Sequence, residues 1–243
     1  MTRQSAATIL LVSLVTANCS YADTGKDKKK GWKGSLSVGI TATSGNTRTK
    51  NINAKSNITD RTEYWRHHLH LSALNASSKG ETTAERYFAK FNSRYSFTKH
   101  NYVFGLISYE NNRFSGFHYN ITDTVGYGRR LIDSDTMDLD LEVGAGSREI
   151  KIIDSGTGQI EPQLHVGGTF EWDITDTTTF KQHLSSNIGK ERSVSRSVTS
   201  LQTHIIGNLA ASLSYTYEHT SKVPQGIQKT FAQASVNLVY NFF

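Results

Sequence analysis

Trp32-Lys33-Gly34-Ser35-Leu36-Ser37-Val38-Gly39-Ile40-Thr41-Ala42-Thr43 is the stretch on which the fold turns. Trp32, Gly34, Leu36, Val38, Ile40 and Ala42 share one parity, and Ser35, Ser37, Thr41 and Thr43 share the other. That period of two puts alternate side chains on opposite faces of a β-strand. The alternation returns about every 15 to 20 residues, with no convincing helical period after Trp32. Tyr87, Ala89, Phe91, Tyr95 and Phe97 oppose Arg86, Lys90, Asn92 and Arg94, and Leu139, Leu141, Val143 and Ala145 oppose Asp138, Asp140 and Glu142. Leu164 to Ile174 and Leu209 to Tyr217 repeat the pattern, so the chain reads as all-β.

Twelve strands are expected, over 32–43, 49–60, 63–76, 84–97, 102–113, 119–131, 136–148, 162–174, 178–190, 195–206, 209–220 and 229–243. Most span about 12 to 15 residues, whereas a tilted strand crosses a bilayer in about 9 to 11. Connections after even-numbered strands look tight, as at Arg61-Thr62 and Gly207-Asn208. Those after odd-numbered strands look longer at 77–83, 114–118, 149–161 and 221–228, with Ser44-Gly45-Asn46-Thr47 as a short exception. Both prolines, Pro162 and Pro224, fall at connections, where no ladder donor is needed. The expected architecture is a closed, antiparallel, up-and-down transmembrane β-barrel of about twelve strands.

Composition agrees with this. Only 36% of the 243 residues are hydrophobic and mean hydropathy is −0.46, yet 10% are aromatic, which argues against disorder. The longest apolar run, Ala6 to Ala17, is too short and interrupted for a spanning helix. A barrel explains the low apolar fraction, because one face of each strand meets lipid and the other a polar interior. The net charge of +6 is local: the lysine-rich segment Asp23 to Lys33 holds +3 of it. No basic stripe interleaved with stacking aromatics is present, so a nucleic-acid partner is not expected.

Arg3, the apolar run that follows and Ser20-Tyr21-Ala22 read as a cleaved signal peptide over residues 1–22. Residues 23–31 would form a periplasmic tail and 32–243 the barrel. Cys19, the sole cysteine, lacks the flanking residues of a lipid-attachment signal, since Thr16 and Asn18 stand where a large aliphatic and a small residue are wanted. Cleavage after Ala22 leaves no thiol and no disulfide. At the other end Val236, Leu238, Tyr240 and Phe242 alternate, and the chain closes on Phe243. Tyr240, Phe242 and Phe243 form a candidate signal for the barrel assembly machinery.

Trp32 to Gly39 with Ser44-Gly45-Asn46-Thr47, then Tyr109-Glu110-Asn111-Asn112-Arg113-Phe114-Ser115-Gly116, Gly126-Tyr127-Gly128 and Glu142-Val143-Gly144-Ala145-Gly146, resemble in order the YdiY-like family of salt-induced outer-membrane proteins, domain of unknown function family 481. The resemblance covers nearly all of the expected mature chain. It implies an outer-membrane barrel of a Gram-negative bacterium, a link to salt or osmotic conditions, and no assigned substrate or activity.

Three constellations bear on chemistry. His183 and Ser185 share a strand face, as in the outer-membrane phospholipase, but that face should point into the lumen and away from lipid. Ordinary lumen polarity is the simpler account. His68 and His70 lie at i and i+2 and could bind a metal, but no third ligand is identifiable. Arg86, Lys90 and Arg94 on one strand and Asp138, Asp140 and Glu142 on another should point inward, where each must pair or face water. Two arrangements stay open: ion pairs that plug a narrow barrel, or a solvated pore lining. The expectation is a monomeric outer-membrane protein in contact with lipid, structural or narrow-channel in role, without catalysis, metal or cofactor. Rival readings are a lipid hydrolase using His183 and Ser185, and a soluble periplasmic ligand-binding β-protein.

Overall fold

The computed structural model describes residues 30–44, 49–78, 81–112, 117–152, 158–223 and 225–242. The expected signal peptide, residues 23–29 of the lysine-rich tail, and Phe243 lie outside the described residues. Twelve strands occur: β1 (Gly31–Ser44), β2 (Thr49–Arg61), β3 (Trp65–Ser78), β4 (Glu81–Ser96), β5 (Asn101–Asn112), β6 (Phe117–Asp133), β7 (Met137–Ile152), β8 (Gly158–Thr175), β9 (Thr178–Gly189), β10 (Ser193–Ile206), β11 (Leu209–Thr220) and β12 (Thr230–Phe242). Each pairs antiparallel with its sequence neighbours, and β12 returns to β1, from Gly34↔Phe242 to Ser44↔Ala232, to close the barrel. Closure leaves no strand edge unpaired, the condition for a sheet in hydrocarbon.

Every strand boundary falls within four residues of expectation, and β11 matches at both ends. The loops differ. Strands β3 and β4 run on to Ser78 and Glu81, and β7 and β8 to Ile152 and Gly158, so the connections expected over 77–83 and 149–161 are shorter. The β9–β10 connection, 190–192, is as brief as the turns at the opposite rim. These extensions escape a reading of apolar alternation because backbone pairing carries the ladder past the last alternating residues. A register shift at Ala76/Ser77 marks where β3 leaves the regular pattern.

Gly31 of β1 and Phe242 of β12 lie at one end, here called the terminal rim, together with the turns after β2, β4, β6, β8 and β10. Outward positions are apolar and exposed, including Ile40 at 67%, Val125 at 71% and Val236 at 62%. Aromatic residues bracket this belt. Trp65, Tyr95, Tyr127 and Tyr240 lie toward the terminal rim, and Tyr87, Tyr109, Tyr215 and Tyr217 toward the far rim. Tyr87 and Tyr95 are eight residues apart on β4, about 27 Å along the strand and about 20 Å along the barrel axis at a usual tilt. That height suits the apolar band of an outer-membrane barrel.

The interior is polar. Arg148, Thr41, Thr124 and Ser235 are the largest fully buried side chains. Thr41 and Ser235 bond at 3.0 Å across the β1–β12 seam, and Asn53 donates to Thr41. Glycine matters where rings cross a neighbouring strand. The Tyr102 ring occupies the space a Cβ at Gly128 would fill, and the Phe242 ring does the same at Gly34, over the closing seam.

Candidate functional site in the barrel lumen

Inward parity on β1 to β4 carries Lys33, Lys55, Arg61, Arg66, Arg86, Lys90 and Arg94, and no Asp or Glu on these strands shares it. The facing wall is acidic, with Asp138, Asp140 and Glu142 on β7 and Glu171 and Asp173 on β8. Two cavities follow one another along the lumen. The one toward the far rim has a volume of about 480 Å³ and the one toward the terminal rim about 840 Å³. They share His68 on β3, Lys90 on β4 and His183 on β9, which mark the level where the cavities meet.

The charges singled out in the sequence separate into three situations. Arg94 spans the lumen side of the intervening β5 and β6 to reach β7, with Nη1 3.0 Å from Asp140 Oδ2 and Nη2 2.7 Å from Glu142 Oε1. Arg130 Nε holds the second oxygen of Asp140 at 2.9 Å, and the Tyr102 hydroxyl donates to Glu142 at 3.0 Å. Tyr102 also lies under the Arg94 guanidinium, 4.9 Å from ring centre to Cζ. Arg86 pairs with Glu110 at 2.9 Å, facing the far cavity, whereas Asp138 lines the terminal-rim cavity. Lys90 stands apart: among the described residues no carboxylate oxygen lies within 4 Å of its ammonium.

Sequence reasoning passed over several partners. Arg196 pairs with Glu218 in the far cavity, and Arg148 meets Glu161 at 3.1 Å. Arg61, Arg66 and Arg94 lie side by side in register on β2, β3 and β4. The inward parity of Arg61 and Arg66 was available to find them, but only the strand pairing aligns them.

His183 Nδ1 and Thr169 Oγ1 are 2.9 Å apart, and no hydrogen bond joins His183 to Ser185, although both face the lumen. Of the β3 histidines, His70 bonds Asn57 Oδ1 through Nδ1 at 2.7 Å. Among the described residues no group of three His, Cys, Asp or Glu side chains is placed to hold a metal ion. Tyr240 and Phe242 stack outward at the terminal rim, with centroids 6.5 Å apart.

A closed twelve-strand barrel with an apolar exterior and a charged lumen is the architecture of outer-membrane barrels. Among solved structures, the NanC porin superposes with a TM-score of 0.58 at 11% identity, covering 84% of this chain and 98% of that one. The translocator domain of the autotransporter NalP from Neisseria meningitidis gives 0.52 at 12%, covering 89% and 90%. These likenesses are of fold. The chain belongs to the family described as "Protein of unknown function, DUF481", matched over residues 36–242. It is similar to "Uncharacterized protein YdiY" of Escherichia coli (strain K12), 29% identical over 216 residues that make up 88% of this chain and 84% of that protein.

Proposed function

We propose that this protein is a narrow, non-catalytic channel for small hydrophilic solutes in the outer membrane. The observation that carries the reading is that two cavities, each with charged side chains in its wall, meet at His68, Lys90 and His183, because a lumen filled by ion pairs alone would not leave cavities on both sides of one level. Arg94, Asp140, Glu142 and Arg130 crowd one side of the passage and keep it below porin bore, in line with twelve strands instead of 16 to 18.

In this reading a cleaved leader over residues 1–22 exports the chain and the barrel works as a monomer surrounded by lipid. The terminal rim faces the periplasm with the lysine-rich tail. The assembly machinery reads the strand ending Tyr240, Phe242 and Phe243. A tie to salt or osmotic conditions would follow from this reading, as a route by which small solutes equilibrate when those conditions change. Planar-bilayer recording on purified protein tests the proposal. Discrete current steps are expected. A flat trace from folded, heat-modifiable protein overturns the channel and leaves a closed structural barrel.

A further inference from the structure

Arg61 on β2 and Arg66 on β3 are register partners, both line the terminal-rim cavity, and among the described residues no carboxylate oxygen lies within 4 Å of either guanidinium. Side chains directly opposite on one face of an antiparallel pair have Cβ atoms about 4.5 to 5.5 Å apart, and like charges there repel. Arg94, the third member of the row, is neutralised by Asp140 and Glu142. Arg61 and Arg66 have no such direct pair among the described residues. Among the described residues lining the terminal-rim cavity, their own wall contributes no carboxylate, and Asp138 and Glu171 stand across it.

Two residues toward the far rim on the same face, Thr59 pairs with His68, and both line the same cavity. Lys90 follows at the junction with the far cavity. The terminal-rim cavity, about 840 Å³, is large enough for a hydrated small ion or a small metabolite beside the two guanidiniums. Paired guanidinium forks suit carboxylate and phosphate oxygens, which accept two parallel hydrogen bonds from each fork, while a spherical halide gains little from that geometry.

We propose that Arg61 and Arg66 form a binding site for a small oxyanion in the terminal-rim cavity, with Thr59 and His68 as further polar contacts and Lys90 as the cationic step that leads to it from the far cavity. The shared chemistry is the oxyanion group, which a phosphate or an organic carboxylate would bring. The site needs only the lumen described above and not conduction, so it goes beyond the channel reading.

The test is thermal unfolding of the full barrel in detergent, followed by loss of the heat-modifiable form, in sodium chloride, sodium acetate and sodium phosphate titrated at constant ionic strength. A saturable rise in midpoint with acetate or phosphate and none with chloride is expected, and comparison of the two separates a carboxylate preference from a phosphate preference. The double variant Arg61→Gln/Arg66→Gln should weaken the apparent affinity by about tenfold or more. Should that variant fail to fold, Arg61→Lys/Arg66→Lys keeps the charge and removes the fork, and it too should lose the oxyanion response. Equal responses in all three salts, or an undiminished response in whichever of these variants folds, overturns the site. Oxyanion binding by a barrel that passes no current sinks the channel alone, and current without an oxyanion response sinks this site alone.

Discussion

Arg94 on β4 and Glu142 on β7 meet at 2.7 Å with two strands between them, so the contact crosses a chord of the barrel instead of following its wall. The same guanidinium holds Asp140 at 3.0 Å, and both carboxylates are nearly buried, at 10% and 8% side-chain exposure. Replacing Arg94 by Gln strands two desolvated carboxylates, one of which keeps Arg130. The expected cost is about 2 to 4 kcal/mol, toward the lower part of what breaking a buried pair entails. Urea unfolding in micelles measures it. Adding Glu142→Gln to Arg94→Gln should recover part of the loss, and strict additivity of the two changes would show that the contact carries no coupling.

At the closing seam a Cβ placed on Gly34 would collide with Phe242 Cε2. Gly34→Ala should therefore destabilise by about 1 to 3 kcal/mol through overpacking. In a Phe242→Ala background, where the ring is gone, the same substitution should cost almost nothing. Refolding yield and the boiling-dependent gel shift of the four proteins decide the matter. Equal penalties in both backgrounds would mean that the ring does not lie over the β1 backbone.

The strands were legible because lipid imposes a period of two wherever it touches the chain, as at Leu36, Val38 and Ile40 or at Val236, Leu238 and Tyr240. Legibility stopped where lipid stops. Ser77, Ser78 and Glu81 carry no alternation, so the upper ends of β3 and β4 looked like loop. Inward parity of Arg94, Asp140 and Glu142 could be read from sequence, but their contact depends on barrel curvature and shear, which set who faces whom across a lumen. The Arg61–Arg66 pair depends on a one-residue choice of register, and a slip would send one of them outward.

Some outward positions break the apolar rule. On the outer face of β9 and β10, Gln182 Nε2 donates to Ser197 Oγ at 3.0 Å and Thr199 Oγ1 donates to Gln182 Oε1 at 2.6 Å. These groups satisfy one another, so lipid meets a closed hydrogen-bonded patch and not free polar atoms. Interhelical hydrogen bonds in membranes average about 0.6 kcal/mol because alternative partners exist, and a similar scale should hold here. Gln182→Leu should accordingly shift stability by less than about 1 kcal/mol, read from unfolding in lipid bilayers. A loss of several kcal/mol would mean that the patch is covered by something other than lipid.

At the far rim, Lys222 Nζ bonds Glu191 Oε2 at 2.9 Å, and Arg192 Nε donates to the Lys222 carbonyl at 2.8 Å, lashing the β9–β10 turn to the β11–β12 connection. The hydrogen bond and charge of Lys222 hold the Glu191 carboxyl below the usual carboxylate range. A carboxyl more acidic in the folded protein than in the unfolded chain contributes above its unfolded value and stops contributing as pH falls through its folded one. The lash should thus persist from neutrality down through the usual carboxylate range and loosen only in stronger acid. Both partners are exposed, at 68% and 61%, so the effect belongs to the loops and not to global stability. Hydrogen exchange of residues 190–193 and 221–223, corrected for intrinsic rates, should quicken only in strong acid. Glu191→Gln should show the faster exchange already at pH 7 with an unchanged unfolding midpoint. A lowered midpoint in that variant would instead make the lash part of what holds the barrel closed.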